Sequence, residues 1–348
     1  MKIDFAIHKE LVMDRLPTAF CHASTIRKLR SGGLLCCWFG GSHEGEADVA
    51  IYAARRDGAG WSAPIKLADG AEANWNPVLF YREDGTLLLF YKEGQQIAHW
   101  RTFVRESQDD GLTWSAAKEL VPGDASGGRG PVRNKPIRLK SGRILAGGST
   151  EHGIWQAFAD LSDDDGRTWR KSTPVMIKNL QYRQGERTAE SDIAVSSQSF
   201  YGRGVIQPSL WQSADGSVHM LLRSSEGFVY RADSKDGGVS WSDAYALSLP
   251  NNNSGLDLVS LADGTLLLVC NPVAANWGMR SPLSLFVSAD DGAHWAKLLD
   301  LETAKGEFSY PAIIAHGHQV HISYTLDRKN IAVVSLYSGR REATISGP

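Results

Sequence analysis

Histidine, tyrosine and arginine residues that could act together on an anion lie at matched places in this sequence of 348 residues. His22 and Tyr310 each stand near the start of a short apolar segment, and Arg223 lies at the end of another. Imidazole and phenol groups can donate or accept protons, and a guanidinium group binds a carboxylate through two parallel hydrogen bonds. Together with Arg280, these residues predict a site for a small molecule that carries a carboxylate.

The composition excludes several other classes of protein. Lys and Arg number 37 against 39 Asp and Glu, so the net charge of −2 argues against a nucleic-acid partner. The sequence has no apolar run long enough for a membrane helix and begins without a secretory signal, which predicts a soluble, cytoplasmic protein without a membrane partner. The four Cys residues lie in apolar segments without metal-ligand spacing, so we expect buried free thiols, no metal site and no cofactor.

A repeated motif indicates how the chain is organised. The pattern Ser-x-Asp-x-Gly-x-x-Trp occurs four times, and a degenerate copy ends at Trp61. The full copies begin at Ser107, Ser162, Ser234 and Ser288. The Asp can satisfy the backbone of its own turn while the Trp packs beneath it. Because the same residues recur in every repeat, they cannot all converge on one site, and we interpret them as structural.

A second repeat consists of tight turns between apolar strands, as at Asp84-Gly85 before Thr86-Leu87-Leu88-Leu89-Phe90. There are six such turns, at Gly32, Gly85, Gly142, Gly216, Gly264 and Gly317. Units of about fifty residues with several short strands are typical of radially stacked sheets. The sequence therefore predicts an all-β, six-bladed β-propeller, formed as a single domain by residues 1–348. A polar stretch at 178–204 is expected to be a loop insertion, and the strand around 2–8 is expected to close the last blade.

Alignment of the six hairpins on their turn glycines predicts two rings of side chains at one end of the axis. Before the turns stand His22, Asn76, Lys135, Gln207, Gly255 and Tyr310; seven residues after the glycines stand Phe39, Lys92, Ser149, Arg223, Asn271 and Tyr324. Where a Pro follows the first-ring residue, we expect that residue to be extended. Lys, Gln and Arg at these positions indicate a binding mouth rather than a core.

The chemistry of these rings predicts an acidic sugar or oligosaccharide as the partner. Lys92, Lys135, Arg223 and Arg280 would neutralise its carboxylate. The aromatic faces of Trp38, Trp75, Trp277 and Tyr324 could pack against a pyranose ring. Glu151 either binds a sugar hydroxyl or forms an ion pair with Lys135 or Arg133. As an alternative, the cations form a structural network with acidic neighbours.

The four motifs and their spacing resemble the sialidase superfamily of BNR (Asp-box) repeat proteins, over nearly the whole chain. Segments such as Cys21-His22-Ala23-Ser24-Thr25 and Ser309-Tyr310-Pro311-Ala312 are similar to a divergent BNR-like branch. The resemblance implies that Arg223 and Arg280 hold a sugar carboxylate and that Tyr310 is the nucleophile. The first arginine of the family is replaced by His22.

Two further positions depart from the sialidase pattern. The acid/base Asp of the family aligns with His43 or Glu44, and the Glu that activates the Tyr is replaced by Gln207. An amide cannot accept the proton of a phenol, so Tyr310 lacks its usual base.

Three functions therefore remain open. The first is a sialidase-like glycoside hydrolase, in which Tyr310 or an activated water attacks and His43 or Glu44 is the acid. The second is a lyase that acts at a uronate with His22 and Tyr310 as base and acid. The third is a sugar-binding propeller without catalysis.

Overall fold

The computed structural model describes residues 5–124, 126–185, 187–188 and 200–338, and the predicted all-β class is confirmed. The strands of the first half are β1 (Phe5–Leu11), β2 (Phe20–Lys28), β3 (Leu34–Gly41), β4 (Ala50–Asp57), β5 (Gly60–Trp61), β6 (Ile65–Ala68), β7 (Asn74–Tyr81), β8 (Leu87–Glu93), β9 (Arg101–Ser107), β10 (Lys118–Glu119), β11 (Ile137–Arg138), β12 (Ile144–Thr150), β13 (Ile154–Ser162) and β14 (Arg170–Lys171). A 3₁₀ turn, Ile97–His99, lies between β8 and β9.

The strands of the second half are β15 (Arg203–Gln212), β16 (Val218–Ser224), β17 (Phe228–Ser234), β18 (Tyr245–Pro250), β19 (Asp257–Ser260), β20 (Leu266–Cys270), β21 (Leu283–Ser288), β22 (Ala296–Glu302), β23 (Phe308–His316), β24 (Gln319–Leu326) and β25 (Asn330–Ser338). Among the described residues, no helix has the length and hydropathy that a membrane span requires.

Antiparallel groups of consecutive strands make up the sheets. We name them in chain order: group 1 is β2–β6, group 2 is β7–β10, group 3 is β11–β14, group 4 is β15–β18, group 5 is β19–β22, and group 6 is β23–β25 with β1. Groups 3 and 4 join into one eight-stranded sheet, because β13 pairs in parallel with β15 at Ile154↔Arg203 and Trp155↔Gly204. Part of the expected loop insertion, residues 186 and 189–199, lies outside the described residues.

The first and the last described strands pair with each other in group 6. Strand β1 pairs with β25 in an antiparallel register that runs from Phe5↔Ser338 to Leu11↔Ala332. The expectation that an N-terminal strand completes the last group is therefore confirmed for residues 5–11, and residues 2–4 lie outside the described residues.

The apolar core is divided among the groups rather than gathered in one place. Each group shares a cluster of buried side chains with the next one along the chain, and group 6 shares one with group 1 through Cys36, Trp38, Ala312 and Ile331. Alternate residues of a strand face opposite sides of the sheet, so each sheet contributes to two clusters. This sequence of contacts returns to its starting point.

The Asp-box turns are structural, as predicted. In the first full copy, Ser107 Oγ accepts a hydrogen bond of 2.7 Å from the amide of Gly111, while Asp109 accepts one of 2.8 Å from the amide of Thr113. The indole of Trp114 donates to the carbonyl of Gly111 at 3.2 Å. These bonds favour the ionised carboxylate and lower the pKa of Asp109 to about 2, with the Thr113 hydroxyl as the largest contribution.

A bulge recurs near the start of four strands, β2, β7, β15 and β23. The strand register shifts between His22 and Thr25, Trp75 and Val78, Ile206 and Ser209, and Ser309 and Ala312. One residue in each bulge is left-handed, with φ of 51° at Ala23, 45° at Asn76, 55° at Gln207 and 53° at Tyr310. The expected extended conformation before Pro is therefore wrong for Asn76, Gln207 and Tyr310. A left-handed L-residue costs about 1–2 kcal/mol, and the bulge re-aims its side chain.

Candidate active site

A pocket opens where these bulges lie, and it brings together residues from the strands and connecting loops of all six groups. Its walls are His22, Phe39, Glu44, Trp75, Asn76, Ile97, Trp100, Glu151, Gln207, Arg223, Trp277 and Tyr310. The enclosed volume is about 30 Å³, roughly that of one water molecule. A pyranose ring therefore binds here only if a side chain of the wall moves.

Tyr310 lies at the centre of the pocket floor and is 9% exposed. Its phenol oxygen accepts a hydrogen bond of 2.6 Å from Nη1 of Arg223, and that nitrogen also donates to Oε1 of Gln207 at 3.3 Å. The guanidinium carbons of Arg133, Arg223 and Arg280 lie 5.5, 5.7 and 5.4 Å from the ring centroid. The ring is thus surrounded by cations, which attract the negative face of its π system.

His22 packs against Tyr310, with 4.3 Å between the ring centroids. It is 2% exposed, and its Nδ1 has no hydrogen-bond partner among the described residues. Burial lowers the pKa of His22 well below its ordinary value, and the charges of Arg328, Arg280, Arg133 and Arg223 act in the same direction. The imidazole is therefore neutral at pH 7 and can accept a proton.

Arg280 and Arg328 form a buried ion-pair chain beside Tyr310. Nη1 of Arg280 lies 2.5 Å from Glu307, and Nε of Arg328 lies 3.1 Å from the same carboxylate. Arg328 also pairs with Glu44, which lines the pocket. The Nη2 atoms of both arginines are buried and lack a partner among the described residues. Each of these two nitrogen atoms can therefore donate a hydrogen bond to one more carboxylate.

Arg133 lies beneath Tyr310 and is 1% exposed. Its Nη2 donates to the carbonyl of Tyr310 and, at 3.0 Å, to that of Pro311. The hydrogen bonds hold the left-handed backbone of Tyr310 in place, so Arg133 positions the phenol rather than contacting the pocket.

The two candidates for the acid, His43 and Glu44, occupy different environments. Glu44 lines the pocket, but its carboxylate is paired with Arg328. His43 is exposed, contacts the carbonyl of Glu44 at 3.3 Å and is not part of the pocket wall. Of the two, only Glu44 is part of the described pocket wall, and an ion pair holds its carboxylate there.

Compared with Glu44, Glu151 is the carboxyl group in the better position to act as an acid. It lines the pocket from the end of β12, and neither of the ion pairs expected with Lys135 or Arg133 forms among the described residues. Burial raises the pKa of Glu151; Arg223 opposes the shift, and the nearby Glu44 adds to it. A raised pKa keeps a carboxyl group protonated and able to donate.

Five predicted binding residues lie outside the pocket wall, and Arg280, which pairs with Glu307, is one of them. Lys92 is buried against Thr102 at 2.7 Å, and burial lowers its pKa to about 7. Lys135 pairs with Asp257 at 2.8 Å. Asn271 donates to the carbonyls of Pro282 and Phe308, and the hydroxyl of Tyr324 donates to Glu302. Of the three cations, Arg280 and Lys135 thus have the acidic partners that the structural-network alternative expects, whereas Lys92 binds a hydroxyl group.

The aromatic walls are partly as expected. Trp75 and Trp277 line the pocket, with Trp100 stacked at 5.0 Å from Trp75. Trp38, by contrast, is fully buried and stacks on Tyr52. Asn76 and Gln207 line the pocket as predicted.

The sequence analysis missed Arg133 and Arg328 as contributors to the site. Arg133 stands nine residues before its turn glycine, Gly142, as Asn76 and Gln207 do before theirs, so a constant offset would have found it in place of Lys135. Arg328 follows β24 and has no counterpart in the repeats. The four Cys residues are buried and free, as expected. The described residues contain no cluster of three or more His, Cys, Asp or Glu side chains that could hold a metal ion.

Comparisons with known proteins agree with this architecture. Residues 32–322 match the model of the BNR repeat-like domain, and the chain belongs to that family. A protein of unknown function from Dyadobacter fermentans is similar in structure, with a TM-score of 0.73, 17% identity, and coverage of 96% of this chain and 99% of that one. No curated protein sequence matches.

Sialidases share the fold. The NanB sialidase of Streptococcus pneumoniae has a TM-score of 0.71 at 14% identity, with 93% of this chain and 70% of that chain covered. A leech intramolecular trans-sialidase, solved with 2,7-anhydro-Neu5Ac, has a TM-score of 0.68 at 15% identity, over 95% and 70% of the two chains. The protein is therefore a member of the BNR-repeat class with a sialidase-like fold.

Proposed function

We propose that the protein is a glycosidase of sialidase type that cleaves a terminal acidic sugar from a glycoside or oligosaccharide. The observation that carries the proposal is charge. Arg133, Arg223, Arg280 and Arg328 all act on His22, whereas only Glu44 and Glu307 pair with any of them. An uncompensated set of buried guanidinium groups favours an anionic ligand.

The site belongs, in this proposal, to a single six-bladed β-propeller. The cyclic contacts between neighbouring groups and the pairing of β1 with β25 support that architecture. In such a fold the innermost strands converge on one mouth.

The sugar carboxylate takes the place of Glu44 on Arg328 and bonds to Arg280 and Arg223. The exchange opens the pocket, because Glu44 is part of its wall. Trp75 and Trp277 then face the ring, and Asn76 and Gln207 bond to its hydroxyl groups. Arg328 supplies the positive charge of the family's first arginine, whose position is held by His22 in this chain.

Glu151 protonates the leaving oxygen, and Tyr310 attacks the anomeric carbon while its phenol proton passes to the neutral imidazole of His22 and Arg223 stabilises the developing phenolate. Water then attacks the glycosyl–tyrosine bond and gives its proton to Glu151. The released phenolate recovers its proton from His22. The Arg223–Tyr310 hydrogen bond strengthens as the phenol oxygen gains negative charge. His22 thus takes the role of base that Gln207 cannot fill.

Elimination at a uronate is the second candidate, and one contact favours it. The neutral imidazole of His22 lies against Tyr310, at 4.3 Å between ring centroids. Here His22 removes the proton beside the carboxylate, the arginines stabilise the resulting anion, and Tyr310 protonates the leaving oxygen.

One experiment separates the candidates. The protein is incubated with a panel of sialosides and uronate oligosaccharides, and the products are analysed by mass spectrometry and ultraviolet absorbance. Hydrolysis adds the mass of one water across the products, whereas elimination adds none and gives an unsaturated product that absorbs in the near ultraviolet. Binding without any product would overturn both enzymatic proposals and leave a sugar-binding protein.

A further inference from the structure

The far end of group 1 carries a second cluster of cations. Strand β2 begins beside His22 at the pocket and ends at Lys28, six residues further on, which is about 20 Å along a strand. The cluster lies at that end and comprises Arg27, Lys28, Arg30, Arg55 and Arg56. It is therefore separate from the candidate active site.

Most of these charges lack a carboxylate partner. Arg56 pairs with Glu10 at 2.5 Å. Among the described residues, Arg27, Lys28, Arg30 and Arg55 form no ion pair, although 16 other Lys and Arg side chains of the chain do. Three carboxylates, those of Glu10, Asp57 and Asp110, lie beside these five cations, and the cluster keeps an excess of positive charge.

A groove of about 460 Å³ lies against the cluster, between groups 1 and 6. Lys28, Arg55 and Arg56 line one side, together with the tight turn at Gly32 and Gly33, and His321 and Tyr337 line the other. Asp57 is the acidic residue in the wall. The volume is that of a small-molecule site rather than of a single ion.

His321 is an unusual wall residue for such a groove. It is 4% exposed, its Nδ1 contacts Ser335 Oγ at 2.8 Å, and its Nε2 has no hydrogen-bond partner among the described residues. A buried polar atom without a partner favours a ligand or water that would satisfy it. The cations around it make that ligand an anion.

We infer that this groove is a second binding site, for a small molecule that carries a sulfate or phosphate group. Arginine and lysine side chains on one wall present several donors to a tetrahedral oxyanion. The exposed ring of Tyr337 (37% exposed) gives the rest of the molecule an apolar face, as a sugar ring requires. This site is independent of the proposed glycosidase activity.

His321 reports occupancy directly. Burial, which is the largest cause, and the neighbouring Lys28, Arg56 and His316 together lower the pKa of His321 to about 4. A bound anion cancels the effect of these three neighbours, so the pKa of His321 rises when the groove is occupied.

The experiment titrates the full chain with sodium sulfate, glucose 6-sulfate and glucose at constant ionic strength, with the His321 ring resonance followed by NMR. The resonance is assigned from its loss in His321→Gln. We expect saturable shifts with both sulfates, tighter binding of glucose 6-sulfate, and no shift with glucose. Saturation by sodium sulfate alone would restrict the site to free oxyanions, which still supports the anion site but overturns the sugar-sized ligand.

Lys28→Gln and Lys118→Gln form a matched pair of variants. Lys28 lines the groove, whereas Lys118 lies on β10, away from it. Loss of the Lys28 charge should weaken sulfate binding roughly tenfold, and loss of the Lys118 charge should leave it unchanged. Melting temperatures without sulfate verify that both variants fold. The inference is overturned if no ligand shifts His321, or if both variants bind sulfate like the parent protein.

Discussion

The phenol oxygen of Tyr310 accepts a hydrogen bond of 2.6 Å from Arg223, a residue 87 positions away on a different group of strands. The contact joins β23 to β16 across the mouth of the pocket. In the proposed reaction this cation stabilises the phenolate, while the neutral imidazole of His22 accepts the phenol proton.

Tyr310→Phe tests this role. The variant keeps the ring and its contacts with His22 and the arginines but removes the nucleophile. We expect kcat to fall at least about 100-fold, with the affinity for the acidic sugar retained. Steady-state kinetics and calorimetric titration measure the two quantities. Full activity in the variant would exclude Tyr310 as nucleophile and as proton donor.

Glu151→Gln tests the acid. A general acid must be protonated, and the pKa of Glu151 is raised, so activity should fall as the pH rises through that pKa. In the variant this alkaline limb should disappear and kcat should fall about 10²- to 10⁴-fold. A 4-nitrophenyl glycoside needs no protonation of its leaving group and should be cleaved at a rate much nearer that of the parent protein. Equal losses on both substrates would argue against Glu151 as the acid.

Glu44→Gln distinguishes a carboxylate that competes with the substrate from an acid. If the substrate displaces Glu44 from Arg328, removal of its charge should lower KM several-fold, on the order of one weakened ion pair, while kcat stays close to that of the parent. A large fall in kcat with an unchanged KM would instead restore Glu44 as the catalytic acid. His43→Ala is the neighbouring control.

Arg328→Gln tests the carboxylate clamp. We expect KM to rise roughly 10- to 100-fold for the acidic sugar, because a charge-assisted hydrogen bond is lost. The methyl ester of the same substrate should bind the parent protein and the variant equally weakly, since it offers no charge to Arg328. Arg170→Gln, at a position outside the pocket, is the control for loss of a positive charge. A variant whose preference for the free acid over the ester equals that of the parent protein would contradict a role of Arg328 in the clamp.

The Asp-box carboxylates predict the response to acid. The pKa values of Asp109, Asp164, Asp236 and Asp290 are lowered to about 2 by hydrogen bonds within their turns. Groups with a depressed folded-state pKa stabilise the fold above their unfolded value, near 3.9, and this contribution is lost as the pH falls toward 2. Thermal unfolding between pH 5 and pH 2 should show a steep loss, and Asp236→Asn should flatten it. A parallel profile in the variant would contradict the assignment.

The sequence was sufficient for the parts of the fold that are local. Each Asp box forms within eight residues, and the turn glycines stand between paired strands, so spacing alone predicts them. It was insufficient where a side chain could face either the axis or a neighbouring sheet. Lys92 satisfies the alignment of the repeats, but Thr102 binds it within group 2, and Lys135 is bound by Asp257 of group 5.

The sequence also did not predict the contacts that form when group 6 packs against group 1. Arg328 approaches Glu44 because group 6 packs against group 1, and neither residue belongs to a repeat. Arg223 was predicted because it stands seven residues after its turn glycine, and His22, Tyr310, Asn76 and Gln207 were predicted because each stands seven to ten residues before one. The repeats thus predict the pocket residues that stand near a turn glycine. They do not predict Arg328, which lies in the turn between β24 and β25.

The pairing of β1 with β25 has a mechanical consequence. Phe5 is opposite Ser338, so the first residue of β1 and the last residue of β25 lie at the same end of this strand pair. A force applied to the two ends would break the hydrogen bonds one after another, as in a zipper, rather than all at once in shear. The protein should therefore yield first at this seam, at low force, while the remaining strand groups are still folded.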